Sequence, residues 1–176
     1  AGDKYYDAWH NGDPSVVYKD GGFYMVLTAT GKPLTDDTLA AHPDGMIACV
    51  LGAVSNDGIH WAKTAQPLLT ESLAAQQAPV FEAWTGNLCR PCLLWDEGKW
   101  RLWFDYWHPT KGVCMGYAEN DGLFGAPGGF QLVSDLAEPV IPNWPNPEIV
   151  RIGDRYVSFA DPTGYGPNMG KPNEGW

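Results

Sequence analysis

The chain has 176 residues, of which 44% are hydrophobic and 18% charged, enough apolar material for one domain with a core and too much for a disordered segment. Eleven basic residues against 21 acidic ones give a net charge of −10, which disfavours nucleic-acid backbones and anionic membranes as partners. No run of about 18 apolar residues could span a bilayer, and no charged-then-apolar leader opens the sequence. Because the sequence starts at Ala1 without Met, a leader removed or lying upstream fits it, and an extracellular or periplasmic setting is the expectation. Nine Trp, 21 Gly and 15 Pro point to an all-β, turn-dense protein. Most of the aromatics are expected in the core, with a few presenting ring faces to a ligand such as a sugar.

Residues 1–12 bring Tyr5, Tyr6, Trp9, His10 and Asn11 to the start of a first strand. That strand opens with Asp13-Pro14-Ser15-Val16-Val17 and is followed, nine positions after its proline, by Phe23. The pattern recurs as Arg90-Pro91-Cys92-Leu93-Leu94 with Trp100, and as Asn146-Pro147-Glu148-Ile149-Val150 with Tyr156. Each copy reads as strand, tight turn, strand, with the turns at Asp20-Gly21-Gly22, at Asp96-Glu97-Gly98 and near Gly153. The three hairpins are expected over about 13–30, 89–107 and 146–161.

Between the copies a second pattern repeats. Leu51-Gly52 matches Met115-Gly116, Asn56-Asp57-Gly58 matches Asn120-Asp121-Gly122, and Pro67-Leu68-Leu69 matches Pro139-Val140-Ile141. Asn-Asp-Gly between strand-like runs signals a hairpin turn, so each full unit is expected to hold four strands. Residues 31–45 read as an exposed loop, and 71–83 have room for a turn or two of helix. Four-stranded units in tandem are the sign of a β-propeller, with blade 1 over about 13–70, blade 2 over about 88–141 and the start of blade 3 over about 144–176. Two and a half blades do not close a ring. The chain is therefore expected to be a fragment of a longer protein, or to be completed by another chain.

In a propeller the innermost strands line a central channel, so the residues opening the three copies are expected to converge there: Asp13, Arg90 and Asn146. Polar side chains at these places cost roughly 1–3 kcal/mol each if buried without partners, and a polar ligand accounts for them. Trp9, His10 and Asn11 precede the first copy, Trp84 the second and Trp144 the third, as a rim that could stack on a sugar or pack in the core. Asp105 and Asp161 stand fourteen residues after their prolines, where the first copy has Thr28; they are expected at strand ends, capping turns or touching channel-side loops. Cys89 and Cys92, three apart on a strand, would face opposite ways, so all four cysteines are read as free thiols and no metal site is expected. His60 and His108 are lone histidines with structural readings, and Asp57 and Asp121 belong to turns.

The order Asp-Pro-x-Val-Val, Gly-x-aromatic-x-aliphatic, Ser-x-Asp-Gly-x-x-Trp resembles the five-bladed propeller glycoside hydrolases of families 43 and 32, across essentially the whole chain. The resemblance implies cleavage of glycosidic bonds in oligo- or polysaccharides by a carboxylate pair, with no cofactor. It gives Asp13 the role of general base or nucleophile, as an oxocarbenium-like transition state requires; the plainer reading of Asp13 is an acceptor at a strand start. Where the family has an Asp opening the third blade this chain has Asn146, which supplies no charge to raise a neighbouring acid's pKa. The family's general acid comes from a fourth blade. Glu148, two residues beyond Asn146, is the candidate within this chain, with ligand contact or a salt bridge as its alternative. Arg90 suits a grip on a carboxylate or on sugar hydroxyls, or an ion pair with Asp13 or Glu148. Asp161 joins the substrate-binding set. The competing reading is a carbohydrate-binding propeller without catalysis.

Overall fold

A computed structural model describes residues 7–31, 47–70, 88–108, 110–139 and 141–161. Trp84 and the stretch 71–83 lie outside the described residues, as does Val140. Ten strands are described: β1 (His10–Lys19), β2 (Gly22–Gly31), β3 (Ile47–Ser55), β4 (Ala62–Lys63), β5 (Leu88–Asp96), β6 (Lys99–His108), β7 (Gly112–Asn120), β8 (Gln131–Leu132), β9 (Glu148–Ile152) and β10 (Arg155–Phe159). They form two four-stranded antiparallel meanders, β1-β2-β3-β4 and β5-β6-β7-β8, and the hairpin β9-β10. β1 lies beside β5 and β5 beside β9, so the first strands of the three sheets are neighbours.

The hairpins follow from their turn residues. Lys19 pairs with Gly22 and Asp96 with Lys99, leaving the two-residue loops Asp20-Gly21 and Glu97-Gly98. All four loop residues have positive φ, between 50° and 83°, which is the turn whose twist matches the strands and which Asp-Gly or Glu-Gly adopts at low cost. The third loop, Gly153-Asp154, has positive φ only at Gly153, the alternative two-residue turn.

The Asn-Asp-Gly stretches do not make tight hairpins. β3 ends at Ser55 and β4 begins at Ala62, while β7 ends at Asn120 and β8 begins at Gln131. Side chains take the backbone N–H groups that a short turn would pair across. Ser55 Oγ accepts from Asp57 N (3.2 Å) and Gly58 N (2.9 Å), and Asp57 Oδ1 accepts from Ile59 N and His60 N, each at 2.8 Å. In the second sheet Asn120 Oδ1 accepts from Gly122 N at 2.7 Å. The matched closing segments also differ in spacing. Leu68 packs over Gly52, while Phe104 and then Leu136 lie over Gly116. The backbone bridges come from Leu69 to Val50 and from Pro142 to Cys114.

The main core lies between the first two sheets and includes Val26, Val50, Leu69, Leu93, Leu102, Phe104 and Tyr106. Tyr24, Trp100 and Phe124 form an aromatic knot at its edge, with ring centroids 4.7–5.3 Å apart, the range in which tilted rings attract. A smaller cluster of Cys92, Trp103 and Ile149 joins the second sheet to the third. An ionic network seals the same seam: Arg101 reaches Glu97 and Glu119, both at 2.9 Å, and Arg151 and the Tyr156 hydroxyl both bond Asp96.

Candidate functional site at the strand openings

Asp13, Arg90 and Asn146 share an unusual backbone. Their φ values are 51°, 46° and 52°, and each is followed by proline. L-residues avoid this region at a cost of roughly 1–2 kcal/mol, and a residue before proline is normally extended. Asn and Asp tolerate it, whereas Arg seldom adopts it. The same strained geometry at three matched places marks them as a set.

In β1 and β5 the strain is a β-bulge. Gly12 pairs with Thr28 and Ser15 with Val26, so Asp13 and Pro14 face Leu27 alone; Cys89 pairs with Asp105 and Cys92 with Trp103, so Arg90 and Pro91 face Phe104. A bulge re-aims the side chain it carries. It also resets the alternation of faces. Cys89 and Cys92 stand opposite Asp105 and Trp103, two apart on β6, and so share one face of β5, contrary to the alternation expected from their spacing. All four cysteines are free thiols. Cys89 Sγ donates to Asp105 Oδ1 at 3.1 Å, while Cys92 Sγ accepts from Ile149 N at 3.2 Å. Burial pushes the Cys92 thiol up to about 11, and it raises Cys89 well above the ordinary thiol range, with the Asp105 charge adding to the effect.

Asp105, expected only to end a strand, is the hub. Its side chain is 1% exposed and lies 2.6 Å from Arg90 Nε, and it accepts the Asn146 backbone N–H at 3.0 Å. Burial pushes its carboxyl up, while the Arg90 guanidinium, the Asn146 N–H and the Cys89 thiol pull it back. Arg90 thus forms an ion pair with Asp105, a partner the sequence reading does not offer it. In the first sheet Thr28 Oγ1 accepts the Arg90 backbone N–H at 2.7 Å. In the third, Asn146 Nδ2 donates to Asp161 Oδ2 at 3.3 Å. A chain of hydrogen bonds and one ion pair thus runs from Thr28 through Arg90, Asp105 and Asn146 to Asp161. Asp13 belongs to the same neighbourhood, since its charge reaches Cys89.

The flanking residues divide. Trp9, 45% exposed, precedes β1 and its N–H donates to Thr30 O at 3.0 Å. The exposed His10 ring folds over Gly12, where any Cβ would collide with it. Asn11 Nδ2 donates to Asp7 O at 3.5 Å. Trp144 spends its indole N–H on Ser158 Oγ at 2.7 Å and is half-buried. Glu148 is exposed and opens β9; Asn146 lies outside that strand in the left-handed region, so simple alternation does not carry from one to the other. Among the described residues no group of three His, Cys, Asp or Glu side chains is placed to hold a metal ion.

No family model matches the sequence, and no curated protein matches it. Solved structures do match. The Bombyx mori GH32 β-fructofuranosidase BmSUC1 aligns with a TM-score of 0.58 and 17% identity over 82% of this chain and 28% of its own. CoXyl43, a GH43 β-xylosidase/α-arabinofuranosidase from a compost microbial metagenome, aligns with a TM-score of 0.57 and 21% identity over 84% of this chain and 41% of its own. The GH43_1 enzyme from Xanthomonas citri gives a TM-score of 0.56 and 16% identity over 82% of this chain and 37% of its own. The fold is that of part of a GH32/GH43-type propeller. The chain spans less than half the length of the enzymes it matches. CoXyl43 and the Xanthomonas enzyme were solved with xylotriose, and a BmSUC1 mutant with sucrose.

Proposed function

We propose that the chain contributes the first part of a carbohydrate-active site of glycoside hydrolase type, with the saccharide held where β1, β5 and β9 open. The observation that carries this reading is the matched left-handed geometry of Asp13, Arg90 and Asn146 on a glycoside hydrolase-like fold. A carboxylate on β1, a guanidinium on β5 and an amide just before β9 suit a ring of hydroxyls. Asp13 is exposed and supplies the base or nucleophile. Arg90, oriented by Asp105, and Asn146, oriented by Asp161, hold the sugar, with Trp9 and His10 beside them. The partner carboxylate comes from outside residues 1–176. Glu148 occupies the place of Ser15 and Cys92, whose side chains bond the backbone of the next sheet.

The alternative is a carbohydrate-binding propeller without catalysis, and the amide at Asn146 favours it. One experiment separates the two: sugar release from aryl glycosides and oligosaccharides by the natural-length polypeptide, beside its Asp13→Ala variant. Hydrolysis lost in the variant with sugar binding retained supports the enzyme. Binding by both without turnover supports the lectin-like reading, and no binding by either refutes both.

A further inference from the structure

The two junctions between successive sheets are built alike. At the first, Ser15 Oγ accepts Leu93 N at 3.0 Å and Thr28 Oγ1 accepts Arg90 N at 2.7 Å, while Val26 and Leu93 share one buried cluster. At the second, Cys92 Sγ accepts Ile149 N at 3.2 Å and an Asp105 carboxylate oxygen accepts Asn146 N at 3.0 Å, while Trp103 and Ile149 share another. Counted from each proline the parts coincide. The residue one after it and the residue fourteen after it are acceptors, and the residue twelve after it is the apolar plate between them. The strand received offers two N–H groups three residues apart, the first on the residue before its own proline and the second on an apolar residue.

The third sheet repeats the receiving half. One, twelve and fourteen residues after Pro147 stand Glu148, Phe159 and Asp161. Glu148 pairs directly with Phe159 across β9 and β10, as Ser15 pairs with Val26 and Cys92 with Trp103. The first two plates are 0% and 8% exposed, and Phe159 is 59% exposed. Both acceptors here are carboxylates, which bind an N–H more strongly than a hydroxyl or thiol does.

We infer that Glu148, Phe159 and Asp161 form a receiving edge for the inner strand of a fourth unit of the same polypeptide. Asp161 takes the N–H of the residue that opens that strand, Glu148 takes the N–H three residues on, and Phe159 is covered by the apolar side chain of that second residue. The interface continues the one already made twice in the chain, which is what commits it to a strand of this kind. It does not depend on the carbohydrate reading and stands if that reading fails.

The test is amide hydrogen exchange, resolved by residue, on the natural-length polypeptide that contains residues 1–176. Thr28→Val and Ser15→Ala serve as internal standards, since they should speed exchange at Arg90 and Leu93. The expected result is a pair of protected amides, three residues apart in the segment after residue 161. Asp161→Ala should speed the first and Glu148→Ala the second by about tenfold or more, the size expected for losing one charged hydrogen bond. Asp161→Asn and Glu148→Gln, which keep an acceptor oxygen, should restore most of the protection. The inference is overturned if no amide beyond residue 161 responds to either substitution. It is equally overturned if the responding protection falls on dilution, which would mean a second chain supplies the strand.

Discussion

Asp105→Ala is the sharpest test of how the strand openings are held. The side chain is 1% exposed, ion-pairs with Arg90 Nε at 2.6 Å, and accepts from Asn146 N at 3.0 Å and Cys89 Sγ at 3.1 Å. Removing it strands a backbone N–H, worth about 1–3 kcal/mol. It also removes the Asp105 carboxylate from the Arg90 ion pair. A fully buried pair broken this way costs about 3–5 kcal/mol, but the Arg90 side chain is 23% exposed and water recovers much of that, so about 1 kcal/mol is assigned to it. The sum is about 3 kcal/mol, or a fall of about 1.5 M in the urea midpoint at a slope of about 2 kcal/mol/M. Asp105→Asn keeps an acceptor for the Asn146 N–H and should lose about half as much. Because burial raises the Asp105 carboxyl, its folded pKa lies above its unfolded one. Its linkage contribution is then complete below the ordinary carboxylate range and is lost as pH rises through the raised value. The stability gap between the protein and Asp105→Asn should accordingly narrow as pH rises above the ordinary carboxylate range. A midpoint shift below about 0.5 M for Asp105→Ala, or a gap that widens with pH, refutes this account.

Three further outcomes are expected. Thr28→Val and Ser15→Ala each remove one acceptor from the first junction and should each cost about 1–2 kcal/mol in urea titration, with their double variant close to additive because they hold different N–H groups. Asp13→Ala in the natural-length polypeptide should abolish sugar release while changing the urea midpoint by less than about 0.5 M, since Asp13 is an exposed residue in a strained conformation that Ala does not relieve. Glu119 is held below the ordinary carboxylate range mainly by Lys99 and Tyr117, and Asp96 mainly by the Tyr156 hydroxyl with help from Arg151. Both therefore contribute stability above their unfolded pKa values that is lost as pH falls through the depressed ones. Denaturation midpoints from about pH 6 to pH 2.5 should show an acid limb that Glu119→Gln makes shallower.

The hairpins were legible because their turns are local. Asp20-Gly21, Glu97-Gly98 and Gly153 need nothing beyond two residues to fix the backbone. Four strands to a unit were legible through the spacing of the apolar runs. The bulges were not, since a residue before proline is expected to be extended and the left-handed φ of Asp13, Arg90 and Asn146 violates that local rule. The reading of Cys89 and Cys92 as facing opposite ways failed for the same reason: a bulge adds one residue to one strand only. Asp105 was noticed by position but not by role, because its partners Arg90 and Asn146 are distant in sequence and come to it only through the packing of sheets. The signal that could have found it is the recurrence of an acceptor, Thr28, Asp105 or Asp161, fourteen residues after each proline. The Asn-Asp-Gly turns misled because Ser55, Asp57 and Asn120 compete for the backbone that a tight turn would use.

The bulge, the proline and the junction are one device. Proline has no N–H, so a bulge that takes Pro91 out of ladder register leaves no second donor unpaired. The N–H of Arg90, turned out by its positive φ, is given to Thr28 of the preceding sheet, and that of Asn146 to Asp105. The same residue thereby hands its backbone to its neighbour and its side chain to the strand opening. A ligand gripping the Arg90 and Asn146 side chains would thus act on residues that also hold the junctions. By linkage, a saccharide at a hundred times its Kd should stabilise the natural-length protein by about 2.7 kcal/mol. If the junction and the site are coupled, Thr28→Val should also weaken saccharide binding severalfold without touching the ligand. Calorimetric titration of that variant decides the matter: unchanged affinity beside a lowered urea midpoint would mean that the junction holds the fold and does not set the site.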